Sequence, residues 1–109
     1  MSTQMIQITP NPTPTPGQPA VFGPKEAVAY AYDTIAWHNA DTQAHYPAPV
    51  IKGSVQEKGW FDYQIPAGGT SDTLAPGPNQ TNPTADYVLY YACALHQGET
   101  GQITIKPKQ

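Results

Sequence analysis

Short runs of alternating apolar and polar residues, interrupted every few positions by proline or glycine, set the pattern of this chain. Met5-Ile6-Gln7-Ile8-Thr9 alternates and predicts a first strand packed on one face. Pro10 to Pro19 carries five prolines among Asn, Thr, Gly and Gln, which predicts an extended, polyproline-like connector unsuited to a central strand. Ala20-Val21-Phe22 predicts a short edge strand anchored by Phe22. Ala27 to Tyr32 alternates again, Asp33-Thr34 reads as a turn, and Thr34 to His38 resumes the β pattern with Ile35 and Trp37 on one face and Ala36 and His38 on the other. That parity makes Trp37 a core aromatic and His38 a solvated histidine.

Asn39 to Ala44 is a polar loop that delivers His45. Tyr46 to Ile51 reads as an irregular apolar segment whose prolines exclude helix. Trp60 to Ile65 alternates and predicts a strand, and Thr70 to Asp86 predicts a loop with a brief strand near Thr73-Leu74. Tyr87 to Ala92 is the most strand-like run, dense in β-branched and aromatic residues, and leads directly into Cys93. Gln102 to Ile105 closes the pattern, followed by a charged tail from Lys106 to Gln109.

Thirteen prolines and nine glycines in 109 residues leave no room for long helices. The expected fold is an all-β sandwich or barrel in one domain, residues 1–109, with 1–21 as first strand plus connector and 22–105 as the core. Only five residues are Lys or Arg and the net charge is -3, which excludes nucleic acid as a partner. No apolar stretch is long enough to span a bilayer. Met1 to Gln7 lacks the pattern of a secretory signal, so the chain either stays inside the cell or follows a leader that this sequence lacks.

The candidate chemistry lies in the last third. Cys93, the one cysteine, is followed by His96 and Glu99 in a short loop between two strands, and His45 would join them from another part of the fold. Sulfur with imidazole nitrogen suits copper or zinc, whereas oxygen alone would suit calcium or magnesium. One thiolate, two imidazoles and a weaker fourth donor favour copper that cycles between Cu(I) and Cu(II), because copper(I) prefers the sulfur and copper(II) the nitrogens.

The spacing Cys-x-x-His-x-Gly-x-x-Gly from Cys93 to Gly101 resembles the C-terminal copper loop of the cupredoxins, the type 1 copper family, in its short-loop plastocyanin- and amicyanin-like form. Asp33-Thr34-Ile35-Ala36-Trp37-His38-Asn39, with His45 eight residues after Trp37, resembles the family's segment before its first histidine ligand. The resemblance runs from about Phe22 to Ile105. It implies a Greek-key β-sandwich with copper at one end, held by His45, Cys93 and His96. The family's methionine, three residues after the second histidine, is replaced here by Glu99.

Three roles for Glu99 are open: a carboxylate ligand, which its position favours; a solvent-facing residue that leaves a backbone carbonyl near Ala44 or a water as fourth group; or an uncoordinated charge. Gln97 and Gln102 are outside candidates for the fourth position. By the same resemblance, Asn39 would tie the first-histidine loop to the cysteine loop. The implied function is outer-sphere electron transfer by a monomeric, non-enzymatic protein in the periplasm or outside the cell. A redox partner would dock at the exposed edge of His96, on a rim of Leu95, Pro47, Ala48 and Pro49. The alternatives are a copper carrier or store, or a zinc module without redox role. A copper enzyme is disfavoured because only His38 is left to build a second centre.

Overall fold

A computed structural model of the chain describes residues 3–15, 18–57, 59–96 and 98–107. Among these the chain forms eight strands and no helix: β1 (Thr3–Thr15), β2 (Gln18–Gly23), β3 (Glu26–Tyr30), β4 (Thr34–Asn39), β5 (Pro47–Ile51), β6 (Ser54–Val55), β7 (Tyr87–Cys93) and β8 (Thr100–Lys106). They lie in two sheets, ordered β2-β1-β4 and β3-β8-β7-β5-β6. The chain crosses between sheets so that β1 pairs β4 and β3 pairs β8 in parallel, which gives an all-β sandwich, one of the two architectures the residue pattern allows and the Greek-key form that the resemblance implies.

Period-two alternation builds the core. Ile6 and Ile8 from β1, Phe22 from β2, Ala27 and Ala29 from β3, Ile35 and Trp37 from β4, and Ile103 and Ile105 from β8 all point inward and are buried. Trp37 is its hub: the Tyr91 and Phe61 rings meet it edge-on at 5.3 and 5.8 Å, and the Trp60 ring stacks on it at 5.5 Å.

Three segments depart from expectation. The proline-rich run is not a connector: β1 continues to Thr15 and pairs β2, with Pro10 opposite Ala20 and Thr15 opposite Gln18 across an irregular register. Pairing with β4 ends at Ile8, so Pro10, Pro12 and Pro14 lie where β1 has a neighbour on one side only and a missing N–H is tolerated; Pro16 and Gly17 fall outside the described residues.

Pro47–Ile51, read as irregular, is β5 and pairs β7. The Pro49 carbonyl accepts from the Gln56 amide at 3.1 Å on the side away from β7. Pro47 has the same parity, so neither missing N–H falls in the β7 ladder. The turn to β6 is a two-residue reversal at Lys52 and Gly53, both at positive φ (52° and 80°), the geometry that suits the twist of a tight hairpin.

Trp60 to Ile65, expected as a strand, contributes only the bridge between Ile65 and His45. Trp60 and Phe61 are adjacent yet both pack on Trp37, so the chain turns to place both rings inward instead of alternating. Leu74 likewise makes a single bridge, to Ile35.

Candidate metal centre

One pole of the sandwich collects the C-terminal ends of β4 and β7 and the N-terminal ends of β2, β5 and β8. Cys93 is the last residue of β7, fully buried. Past it the chain folds back in two tight turns, with the His96 amide donating to the Cys93 carbonyl at 3.2 Å and the Glu99 amide to the His96 carbonyl at 2.9 Å. The Cys93 amide closes the loop on the Glu99 carbonyl at 2.9 Å. These turns bring the side chains of His96 and Glu99 over the thiol.

His45 arrives from the 40–46 loop and is fixed by paired backbone bonds with Ile65, of 3.1 and 2.8 Å. The two loops are joined through Tyr46, whose amide donates to Cys93 Sγ at 3.3 Å while its carbonyl accepts from the Ala94 amide at 2.9 Å.

Four potential donor atoms, one each from His45, Cys93, His96 and Glu99, lie within 4.8 Å of one another. Cys93 Sγ is 3.7 Å from His45 Nδ1 and 3.8 Å from His96 Nδ1. Glu99 Oε1 is 3.0 Å from His45 Nδ1 and 3.2 Å from His96 Nδ1. Tetrahedral donors at ordinary metal–nitrogen, metal–oxygen and metal–sulfur bond lengths stand roughly 3.4 to 3.6 Å apart. The cluster brackets that spacing, so these side chains fit a single transition-metal ion.

Glu99 is oriented by a second anchor: its Oε2 accepts the Ala20 amide of β2 at 2.7 Å. Beside it, the Gln18 side-chain amide donates to the Gly98 carbonyl at 2.6 Å. The edge of one sheet thus holds the loop that grows from the other.

The electrostatics centre on His45. Its Nδ1 faces Glu99 and its Nε2 meets Asp41 Oδ2 at 2.8 Å, with both carboxylates buried. Burial alone would lower its pKa, but hydrogen bonds to Cys93, Glu99 and Asp41 overcome that and raise it to about 10. Burial would raise the Asp41 pKa. The bond to His45 and the amides of Thr42 and Gln43 outweigh it and hold Asp41 below the usual carboxylate value.

The four residues singled out from the sequence are the four that converge. His38 stands apart, half-buried, with Nδ1 2.8 Å from the Thr70 hydroxyl. Gln102 lies in β8, opposite Glu26 of β3 and Tyr90 of β7, and Gln97 falls outside the described residues. Glu99 is buried, so the solvent-facing alternative is wrong.

Asn39 is fully buried as a structural residue, but its partners differ from expectation. Its amide donates to the carbonyls of Gln43 and Ile65, and its oxygen accepts from the Asp41 amide. It closes the His45 loop on itself, while Tyr46 makes the link to the cysteine loop. Pro47 and Ala48 are buried because they pair with Cys93 and Ala92 in the sheet; Leu95 is exposed and Pro49 partly so. Sequence reading passed over Asp41, whose one signal was its place four residues before His45 in the same loop.

No family model and no curated protein matches the chain. Solved structures do. A purple cupredoxin from Nitrosopumilus maritimus superposes with a TM-score of 0.73 at 17% identity, covering 94% of this chain and 99% of that one. A copper(I) form of an amicyanin variant gives 0.66 at 14% identity over 95% and 82%, and a reduced amicyanin variant gives 0.64 at 14% over the same shares. Identities this low speak to architecture. Strand order, the site at one pole and these neighbours together show that the chain has the cupredoxin fold, with Glu99 in the cluster where short-loop cupredoxins carry a methionine.

Proposed function

We propose that this chain is a mononuclear copper electron-transfer protein whose metal is held by His45, Cys93, His96 and Glu99. The observation that carries the reading is the donor spacing: a thiol, two imidazole nitrogens and a carboxylate oxygen converge at separations that match a four-coordinate ion. Bound copper would supply one-electron exchange between Cu(I) and Cu(II), and soft sulfur beside imidazole suits both states.

The protein's part is to hold the donors still. Cys93 ends a paired strand, His45 is bridged to Ile65, and Glu99 is pinned by the Ala20 amide. Donors fixed in this way need little movement when the metal changes charge. The carboxylate is a harder donor than a thioether and favours the divalent state, which lowers the reduction potential relative to a methionine-liganded site.

Of the two histidines, His45 is sealed from solvent and His96 has 21% of its side chain exposed. Electrons therefore have their shortest path through His96, and Leu95 beside it, 42% exposed, supplies an apolar contact for a transient redox partner. The rim is smaller than the sequence suggests, being Leu95 and Pro49 without Pro47 and Ala48. This reading places a monomeric, non-enzymatic carrier in the periplasm or outside the cell.

Addition of copper(II) to the metal-free protein should produce one equivalent of a coloured, paramagnetic species that bleaches on reduction and returns on reoxidation. A colourless protein that binds zinc and rejects copper would overturn the redox reading, leaving a zinc module.

A further inference from the structure

We infer that Asp41 is a positioning residue of the metal centre: its buried carboxylate decides which nitrogen of His45 faces the donor cluster and places a negative charge one imidazole ring away from the ion. This rests on the metal site proposed above.

The geometry is specific. An imidazole ring presents two nitrogens, and a metal needs the bare lone pair of one. Asp41 Oδ2 lies 2.8 Å from Nε2, so Nε2 keeps its proton and the nitrogen that gives up its proton to a metal is Nδ1, the atom that faces Cys93 and Glu99. A carboxylate behind a histidine ligand fixes the ring's orientation and raises its donor strength.

Asp41 is itself held. Its amide donates to Asn39 Oδ1 at 3.0 Å, and Asn39 is tied by two further bonds to the carbonyls of Gln43 and Ile65. Both Asp41 and Asn39 are buried, so the arrangement is a built support and not a chance surface pair. Its consequence is electrostatic. The cluster already offers thiol and carboxylate donors, and a further buried carboxylate adds attraction for an ion in proportion to the ion's charge. Asp41 therefore favours copper(II) over copper(I), and zinc(II) as well.

The test compares the full chain with Asp41→Asn, which keeps size and an acceptor oxygen, and with Asp41→Ala, which keeps neither. Copper(II), copper(I) and zinc(II) affinities are measured by competition with chelators. Divalent affinities should fall about 10–100-fold while copper(I) affinity changes less. The ratio of copper(II) to copper(I) affinity should then drop, with an upward shift of about 59 mV in reduction potential for each tenfold.

A merely structural role would weaken both oxidation states alike and leave the ratio unchanged, which would overturn the inference. So would two-bond nitrogen–proton NMR of the zinc form showing the metal on His45 Nε2. If the unaltered chain binds none of these ions, the proposed function fails and the role of Asp41 goes with it. If it binds them and the variants match it, only the inference about Asp41 fails.

Discussion

Glu99 gives its two oxygens different tasks: Oε1 faces both histidines and Oε2 accepts the Ala20 amide. A glutamine can keep either contact but not the charge, and a methionine can keep neither oxygen. Glu99→Gln and Glu99→Met should both raise the reduction potential of the copper form, because a unit charge near the ion is worth several kcal/mol even at an effective dielectric constant of about 20. Glu99→Met should also move the absorption spectrum toward that of a thioether-liganded site. Unchanged spectra and potentials in both variants would show that Glu99 does not touch the metal.

A second expectation concerns protons. With its pKa raised to about 10, His45 carries a proton at neutral pH in the metal-free protein, and a metal must displace it from Nδ1. Metal affinity should rise with pH by about tenfold per unit from this group alone until pH approaches 10. The same raised value stabilises the metal-free fold fully below the unfolded pKa of about 6.5, and that stabilisation is lost as pH rises through 10. Urea unfolding of the metal-free protein should thus show stability falling from pH 6.5 to 10 while chelator competition shows affinity climbing. His45→Gln should flatten the stability profile.

Cys93, His96 and Glu99 were legible in the sequence for a chemical reason, a thiol, an imidazole and a carboxylate spaced three apart in one short loop. His45 was legible through the resemblance of the segment that precedes it. Asp41 was not legible, because an aspartate in a polar turn has an ordinary local explanation and only the fold shows what lies behind it.

At the scale of elements, the junction of β7, loop and β8 shows why the motif ends in glycine. Gly101 pairs with Tyr91 across the sheet, and a Cβ added there would overlap the end of the Tyr91 ring. The glycine is needed for space, not for an unusual backbone angle. Gly101→Ala should cost about 1–3 kcal/mol of stability, as overpacking in a core does, read as a lower urea midpoint with an unchanged slope. If stability holds, Tyr91 can shift aside and the close fit is not a constraint.

β8 was readable from alternation because burial on one face imposes a period of two, and β7 from its density of β-branched and aromatic residues. Trp60 to Ile65 was not, since large aromatic rings at neighbouring positions both gain more by packing on Trp37 than alternation would give. The proline-rich arm failed for the opposite reason. Polyproline and β conformations share most of their backbone angles, and only the presence of a neighbour on one side separates connector from strand.

On the scale of the whole molecule, the site draws on both sheets. Cys93, His96 and Glu99 grow from the five-stranded sheet, His45 follows β4 of the three-stranded sheet, and β2 of that same sheet grips the loop through Gln18 and Ala20. The proposed ligands bond one another, with His45 between two carboxylates. Bonds to Ile65, Ala20 and the turns of the 93–99 loop hold these donors without drawing on the ion, so binding should replace hydrogen bonds instead of ordering a loop. Metal loading should stabilise the fold by mass action without remodelling it. Backbone amide NMR shifts on adding zinc(II), a diamagnetic probe, should be confined to residues 18–20, 39–46 and 93–99. Amides at the opposite pole, around Tyr30 to Asp33 and Tyr87, should stay within the spread of a buffer control. Shifts throughout both sheets, or metal-free spectra lacking the 93–99 signals through exchange, would mean that the ion itself organises this pole and that the assembled cluster is not its resting state.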